Sequence, residues 1–186
     1  MSSLSKNRVA VLRLCAASIL TSIGIMIPMF SPIRIVIEPA SYTLASHVVI
    51  FLAMFISPGV AVMVTLGTSI GFFLGGFPII IVLRACSHIV FVIIGSLYLQ
   101  KIDKFAISGI KLRIFSFVLA LFHAVAEFIV VLLFWFGIDT PNMTIANMLI
   151  LVGLGTIMHS MVDLEIANII RLALQRQGFY LKMSKN

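Results

Sequence analysis

Arg84 stands inside the apolar run F-P-I-I-I-V-L-R-A-C-S-H-I-V-F, with His88 four residues further on. Positions i and i+4 of an α-helix share a face, so the guanidinium and the imidazole project to the same side. The same interval separates His123 from Glu127 and His159 from Asp163, each pair again within apolar sequence. Three such pairs read as a polar seam between packed helices. A guanidinium presents a planar fork of N–H donors that matches a carboxylate, so Arg84 suits either an anionic ligand or the carboxylate of Glu127. His47 and Tyr42 lie near the start of another apolar run and read as the rim of the same site. The four histidines occupy four different runs without paired spacing such as H-E-x-x-H, so no metal site is expected. Gly67-Thr68-Ser69-Ile70-Gly71 matches the G-x-S-x-G nucleophile elbow, but that motif needs a strand-to-helix turn and here it is embedded in helix-like apolar sequence. Gly67, Gly71 and Gly75 recur every four residues and leave one helix face bare for close packing. No catalytic residue is expected.

The elements that must position these groups are membrane helices. The 186-residue chain is 61% hydrophobic and only 10% charged, which excludes an ordinary water-soluble fold. Apolar runs fall at 9–30, 42–56, 59–77, 79–99, 114–136 and 146–174, separated by proline, glycine and polar breaks. They predict an all-α membrane protein, one integral domain of six helices over residues 1–186. The second run is short, as for a tilted or incompletely spanning helix. The first run follows Lys6 and Arg8 like a signal peptide but continues to Phe30 without an A-x-A cleavage site, so a retained helix is expected. Six spans gather Lys6, Arg8, Arg13, Lys101, Lys104, Lys111, Arg113, Arg171, Arg176, Lys182 and Lys185 on one side and leave Arg34 on the other. Lys and Arg concentrate in cytoplasmic loops, so both termini are expected in the cytoplasm of a multi-pass cell-membrane protein. The net charge of +7 then follows from topology and requires no nucleic-acid partner.

Between the first two runs, S-P-I-R-I-V-I-E-P-A-S alternates isoleucines with Arg34, Val36 and Glu38 between prolines, which predicts an extended or hairpin-like loop. An apolar loop on the outer face reads as a lid, or as a segment resting on lipid headgroups. A charge in mid-bilayer costs at least about 2.5–3.5 kcal/mol, so Arg84, roughly 9 Å from the outer end of its span, needs a partner or a task. Asp163, Glu165 and Asn168 count out near the cytoplasmic end and read as packing or partner contacts. Cys15 and Cys86 count out at different depths and read as small packing residues without a disulfide.

The chain resembles the substrate-binding S components of energy-coupling factor (ECF) vitamin transporters. The resemblance covers nearly the whole sequence. It is carried by P-A-S-Y-T-L-A-S-H-V-V-I-F-L-A-M-F-I-S-P-G-V-A, then L-G-T-S-I-G-F-F, then the run around Arg84, together with chain size, six spans and a small-residue first helix. It implies a non-enzymatic protein without cofactor that binds a vitamin near the outer surface beneath a loop lid, here with Arg34 and Glu38. It further implies association with a transmembrane T component and two ATP-hydrolysing subunits. Family members dock the T component through an A-x-x-x-A-like face on the first helix. Ala17-xxx-Thr21 and Ser18-xxx-Ser22 are degenerate versions of it. Arg84, His88, His47, Tyr42 and Glu127, with aromatic residues such as Phe77, Phe91 and Trp135, suit a small carboxylate vitamin of the niacin type. Hydroxyl and amide partners such as Ser87, Thr43 and Asn147 suit pantothenate. A cationic or metal substrate would not favour Arg84. An intramembrane hydrolase and a stand-alone secondary transporter are the alternatives, the latter disfavoured by the lack of an internal repeat.

Overall fold

In lipid, a backbone must satisfy its own hydrogen bonds, so apolar runs of this length become helices. The computed structural model describes residues 3–103, 107–137 and 144–176. Helix α1 (Ser3–Phe30) leads into a hairpin of β1 (Arg34–Ile37) and β2 (Ala40–Thr43), followed by α2 (Val48–Ile56), α3 (Pro58–Leu74), α4 (Ile79–Ser87) and α5 (Ile89–Lys101). Then come α6 (Gly109–Gly137), α7 (Ile145–Met148), a π-helical stretch (Leu149–Leu154) and α8 (Gly155–Arg176). The chain is an all-α membrane protein, with four helical stretches among the described residues long and apolar enough to cross a bilayer: Asn7–Phe30, Ile79–Lys101, Gly109–Trp135 and Ile145–Arg176. Helix α3 is a shorter apolar helix of 17 residues. Side chains facing away from the bundle, such as Leu14, Ile19, Ile70, Phe73, Ile129 and Leu133, are themselves apolar, as lipid contact requires.

The expected span at 42–56 is corrected. Residues 40–43 are strand, and α2 has only nine residues, about 14 Å of helix at 1.5 Å each. All nine side chains of α2 are buried. It is an interior helix, sheathed by others, whose first turn therefore opens inside the protein. Ser57 stops it and starts the next helix: its side chain accepts the Val60 N–H, and Pro58 occupies the first helical position.

The hairpin expected at 31–41 forms, with Arg34 opposite Thr43 and Ile37 opposite Ala40. Its two strands differ. Every residue of β1 is exposed, whereas Ala40 and Thr43 of β2 are buried against the bundle.

The glycine ladder of α3 packs on α1. A Cβ at Gly71 would sit 2.8 Å from the Cα of Ile25 and 2.5 Å from its carbonyl oxygen, and one at Gly67 would strike the Thr21 side chain. Backbone cannot step aside as a side-chain tip can. Gly71→Ala should therefore lower stability by about 1–3 kcal/mol, the usual cost of overpacking. Gly59→Ala, where a Cβ meets nothing, should leave it unchanged. Thermal unfolding of the purified protein in detergent compares the two. Ser69, the nucleophile of the elbow motif, instead donates to the Thr65 carbonyl one turn back at 3.0 Å.

Arg171, counted among the cations of the cytoplasmic side, is fully buried. It donates to the Ile107 carbonyl at 3.2 Å and to Asn168 Oδ1 at 2.6 Å, and lies 4.9 Å over the Phe55 ring. Arg171→Ala should cost about 1–3 kcal/mol by leaving a buried carbonyl without its donor, read as a lowered midpoint in the same unfolding assay. Cys15 and Cys86 are free thiols on exposed surface, not interior packing residues. Lys104, Lys182 and Lys185 of the expected basic clusters lie outside the described residues, as does the 138–142 part of the expected break.

Candidate functional site

Each polar pair of the sequence lands where its interval directs it. Arg84 occupies the last turn of α4, and His88 stands at the break between α4 and α5. Their facing helix α6 brings His123 and Glu127. Helix α8 contributes Thr156, His159 and Asp163, spaced three and four residues apart and so along one face. His47 precedes the first turn of α2. All four histidines meet: the His47 ring centroid is 4.6 Å from that of His88, 4.8 Å from His123 and 5.0 Å from His159.

Two carboxylates organise the cluster. Glu127 Oε2 accepts from Arg84 Nη2 at 2.7 Å and from the Thr156 hydroxyl at 2.5 Å. Its Oε1 is 3.0 Å from His88 Nε2 and 3.4 Å from His123 Nε2. Asp163 accepts the backbone N–H groups of Ala45 and His47 at 3.2 and 3.0 Å and the His47 ring Nδ1 at 3.1 Å. The turn at 44–47 that leads into α2 is held this way from across the bundle, by a carboxylate from α8 that accepts its backbone N–H groups. Asp163, expected near the cytoplasmic end, therefore belongs to the cluster.

Arg84 is buried at 3% exposure, too deep for its head to reach water. Besides Glu127, it donates from Nη1 to the Pro39 carbonyl at 2.6 Å. Pro39 lies in the turn of the β1–β2 hairpin, so the guanidinium tethers the hairpin to the bundle. Nε of Arg84 has no hydrogen-bond partner among the described residues. A small cavity of about 20 Å³ touches Ser41, Ser46, His47, Phe72, Arg84, His88 and Glu127, between the hairpin and the polar cluster. A larger cavity of about 660 Å³ lies between α5 and α6 with Asp103 and Lys111 as its charged lining residues, and neither Arg84 nor a histidine reaches it. The polar cluster lines the smaller one.

Tyr42 secures the hairpin's other strand. Its hydroxyl donates to the Leu151 carbonyl in the π-helical stretch, and its ring meets His159 edge-on at 5.9 Å. A Cβ at Gly155 would collide with the Tyr42 hydroxyl, so that position makes room for the phenol. Burial raises the Tyr42 pKa above its ordinary value.

The chain is 39% identical over 164 residues to the niacin transporter NiaX of Lactococcus lactis subsp. cremoris (strain MG1363), an alignment covering 87% of this chain and 73% of that protein. It belongs to the niacin-type S components of ECF transporters. No protein-family model matches the chain, and no solved structure does.

In this S component, Arg84, His88, His47 and Glu127 of the expected site come into contact, and Tyr42 borders them. Trp135 is half-buried in a separate apolar cluster with Phe77 and Val131. Asn147 is exposed on α7, where its backbone N–H is held by the Thr144 hydroxyl, away from the cluster. Arg34 and Glu38 are exposed on the hairpin, with the Arg34 guanidinium 5.3 Å over the Phe77 ring. On α1, Ala17 is buried and Thr21 abuts Gly67, while Ser18 and Ser22 are exposed, each donating to a carbonyl one turn back. The face expected for docking is thus divided between the bundle interior and the outside. His123, Thr156 and Asp163 were not among the expected site residues. The i+4 interval of His123 to Glu127 signals the first, and nothing in the sequence signals Thr156.

Proposed function

We propose that this S component binds nicotinate beneath the β1–β2 hairpin, with Arg84 as the anchor of the vitamin carboxylate. The observation that carries this reading is the buried Arg84 guanidinium, with an uncommitted Nε–H and an Nη1–H lent to the hairpin's Pro39 carbonyl. An incoming carboxylate satisfies Nε–H and competes for the other donors, loosening Glu127 and the hairpin together. A pyridine ring is far larger than a void of about 20 Å³, so entry requires the hairpin to lift. The hairpin is then the lid, and closing over the vitamin restores its hydrogen bonds. Phe72 in the cavity wall and the histidine rings supply faces for an aromatic ligand. An aromatic acid fits this surrounding better than pantothenate, because Asn147, the amide expected to serve pantothenate, stands apart.

The chain passes through the membrane six times with both ends in the cytoplasm, the second passage made by β2, the turn at 44–47 and the short α2 together, as the gathering of Lys101, Lys111, Arg113 and Arg176 opposite Arg34 favours. The hairpin then faces outward. A T component docks against the exposed side of α1, through Ser18 and Ser22, and two ATPase subunits drive uptake. Expressed in niacin-requiring cells together with those partners, the chain should confer ATP-dependent uptake of labelled nicotinate and co-purify with both ATPases. Uptake that persists without any ATPase would identify a stand-alone secondary transporter instead.

A further inference from the structure

We propose that His47, His88 and His123 bind one divalent transition-metal ion of the zinc class, with Glu127 closing the coordination shell. Each of the three histidines offers a ring nitrogen, and the three nitrogens lie within 4.8 Å of one another, all buried. In a tetrahedral site with ligands about 2.0–2.1 Å from the metal, neighbouring ligand atoms stand roughly 3.3 Å apart. Of the six edges of such a site, three already have about that length: His47 Nε2 to His88 Nε2 at 3.4 Å, His88 Nε2 to Glu127 Oε1 at 3.0 Å, and His123 Nε2 to Glu127 Oε1 at 3.4 Å; the others close as the side chains draw in around the ion.

The protonation pattern independently points to a ligand. Asp163 can only accept, so His47 donates from Nδ1 and its Nε2 carries a lone pair directed at His88. A carboxylate behind an imidazole is the usual support of a metal-binding histidine. His123 is fully buried, yet neither ring nitrogen makes a hydrogen bond among the described residues, since the approach of Nε2 to Glu127 lacks the required geometry. His88 donates from Nε2 to Glu127 and leaves Nδ1 without a partner among the described residues. Moving that proton from Nε2 to Nδ1 frees Nε2 for a metal without releasing any proton to solvent. Buried polar atoms left unmatched are costly, and a metal ion would engage the His123 nitrogen and organise the rest.

A consequence rests on the nicotinate reading. With neutral histidines, the cluster holds one guanidinium, paired with Glu127, and two carboxylates, Glu127 and Asp163, which leaves it net negative and repelling an anionic vitamin. A divalent ion reverses that sign.

The test uses the purified full chain, stripped with a chelator and titrated with Co²⁺. One equivalent should bind with the intense visible bands of four-coordinate cobalt, and Zn²⁺ should displace it. His123→Ala and His88→Gln should weaken Co²⁺ binding about 10–100-fold, while Cys86→Ser leaves it intact. His123→Asn, which keeps a polar side chain, serves if the alanine variant does not fold. A wild-type protein without the bands, or a His123 variant that binds Co²⁺ as well as wild type, overturns the metal site. Nicotinate affinity should fall at least about tenfold in the stripped protein, and equal affinity with and without metal overturns the charge-reversal role alone. Stoichiometric Co²⁺ with no nicotinate binding under either condition retains the metal site and refutes the vitamin reading.

Discussion

Arg84→Ala should weaken nicotinate binding at least about a hundredfold, by loss of a charge-assisted, partly desolvated pair of about 3 kcal/mol or more. Isothermal calorimetry on the purified variant reads the change. The variant also strands Glu127, which keeps Thr156 and His88 as donors and so retains two of its present contacts. Arg84→Lys should rescue little. An ammonium lacks the planar fork that reaches Glu127 and the Pro39 carbonyl at once, so the hairpin tether would be lost along with bidentate recognition. Full affinity in the lysine variant would show that only a positive charge is needed and would remove the argument from geometry. Because the hairpin is tied to the same guanidinium, both variants should also expose the 38–39 turn to proteolysis more readily than wild type.

Asp163→Ala should be the most destabilising substitution among the polar residues, lowering folding stability by about 3–5 kcal/mol. One side chain accepts from three donors in the turn leading into α2: the backbone N–H groups of Ala45 and His47 and the His47 ring. The two His47 groups are buried, so no water replaces the carboxylate there, and the turn into α2 would lose its anchor while His47 lost the tautomer that Asp163 imposes. Asp163→Asn keeps an acceptor oxygen and should recover part of the loss, although its amide cannot accept from all three. Thermal unfolding with size-exclusion chromatography distinguishes the variants. Wild-type stability in Asp163→Ala would mean that the turn into α2 is held by other contacts and that the cluster is not built around this residue.

The intervals that placed Arg84 over His88 and His123 over Glu127 are local, and helix geometry carried them unchanged into the structure. The bare face of Gly67, Gly71 and Gly75 was legible for the same reason, since a four-residue repeat of small side chains has one physical use in lipid. Depth was not legible. Counting residues from the outer end of the run 146–174 put Asp163 near the cytoplasmic side, where no partner for it was in view because 42–56 was read as a span. The chain instead spends residues 40–47 on a strand and a turn, and His47 enters the bundle beside α8. The four histidines shared no motif, because their convergence depends on how four helices pack, which spacing within any one of them does not record. Asn147 and Trp135 had suitable chemistry but sit on parts of α7 and α6 that face elsewhere. The hairpin was readable from its alternation and prolines. Its tie to Arg84 was not, because a carbonyl acceptor carries no sequence signature.

The most direct test is calorimetric titration of the purified wild-type chain with nicotinate, nicotinamide and pantothenate. Nicotinate should bind in the nanomolar to micromolar range, with nicotinamide far weaker because it lacks the anion that Arg84 requires. If no carboxylate vitamin binds, or if nicotinamide matches nicotinate, a guanidinium anchor beneath the hairpin is not how this protein recognises its substrate.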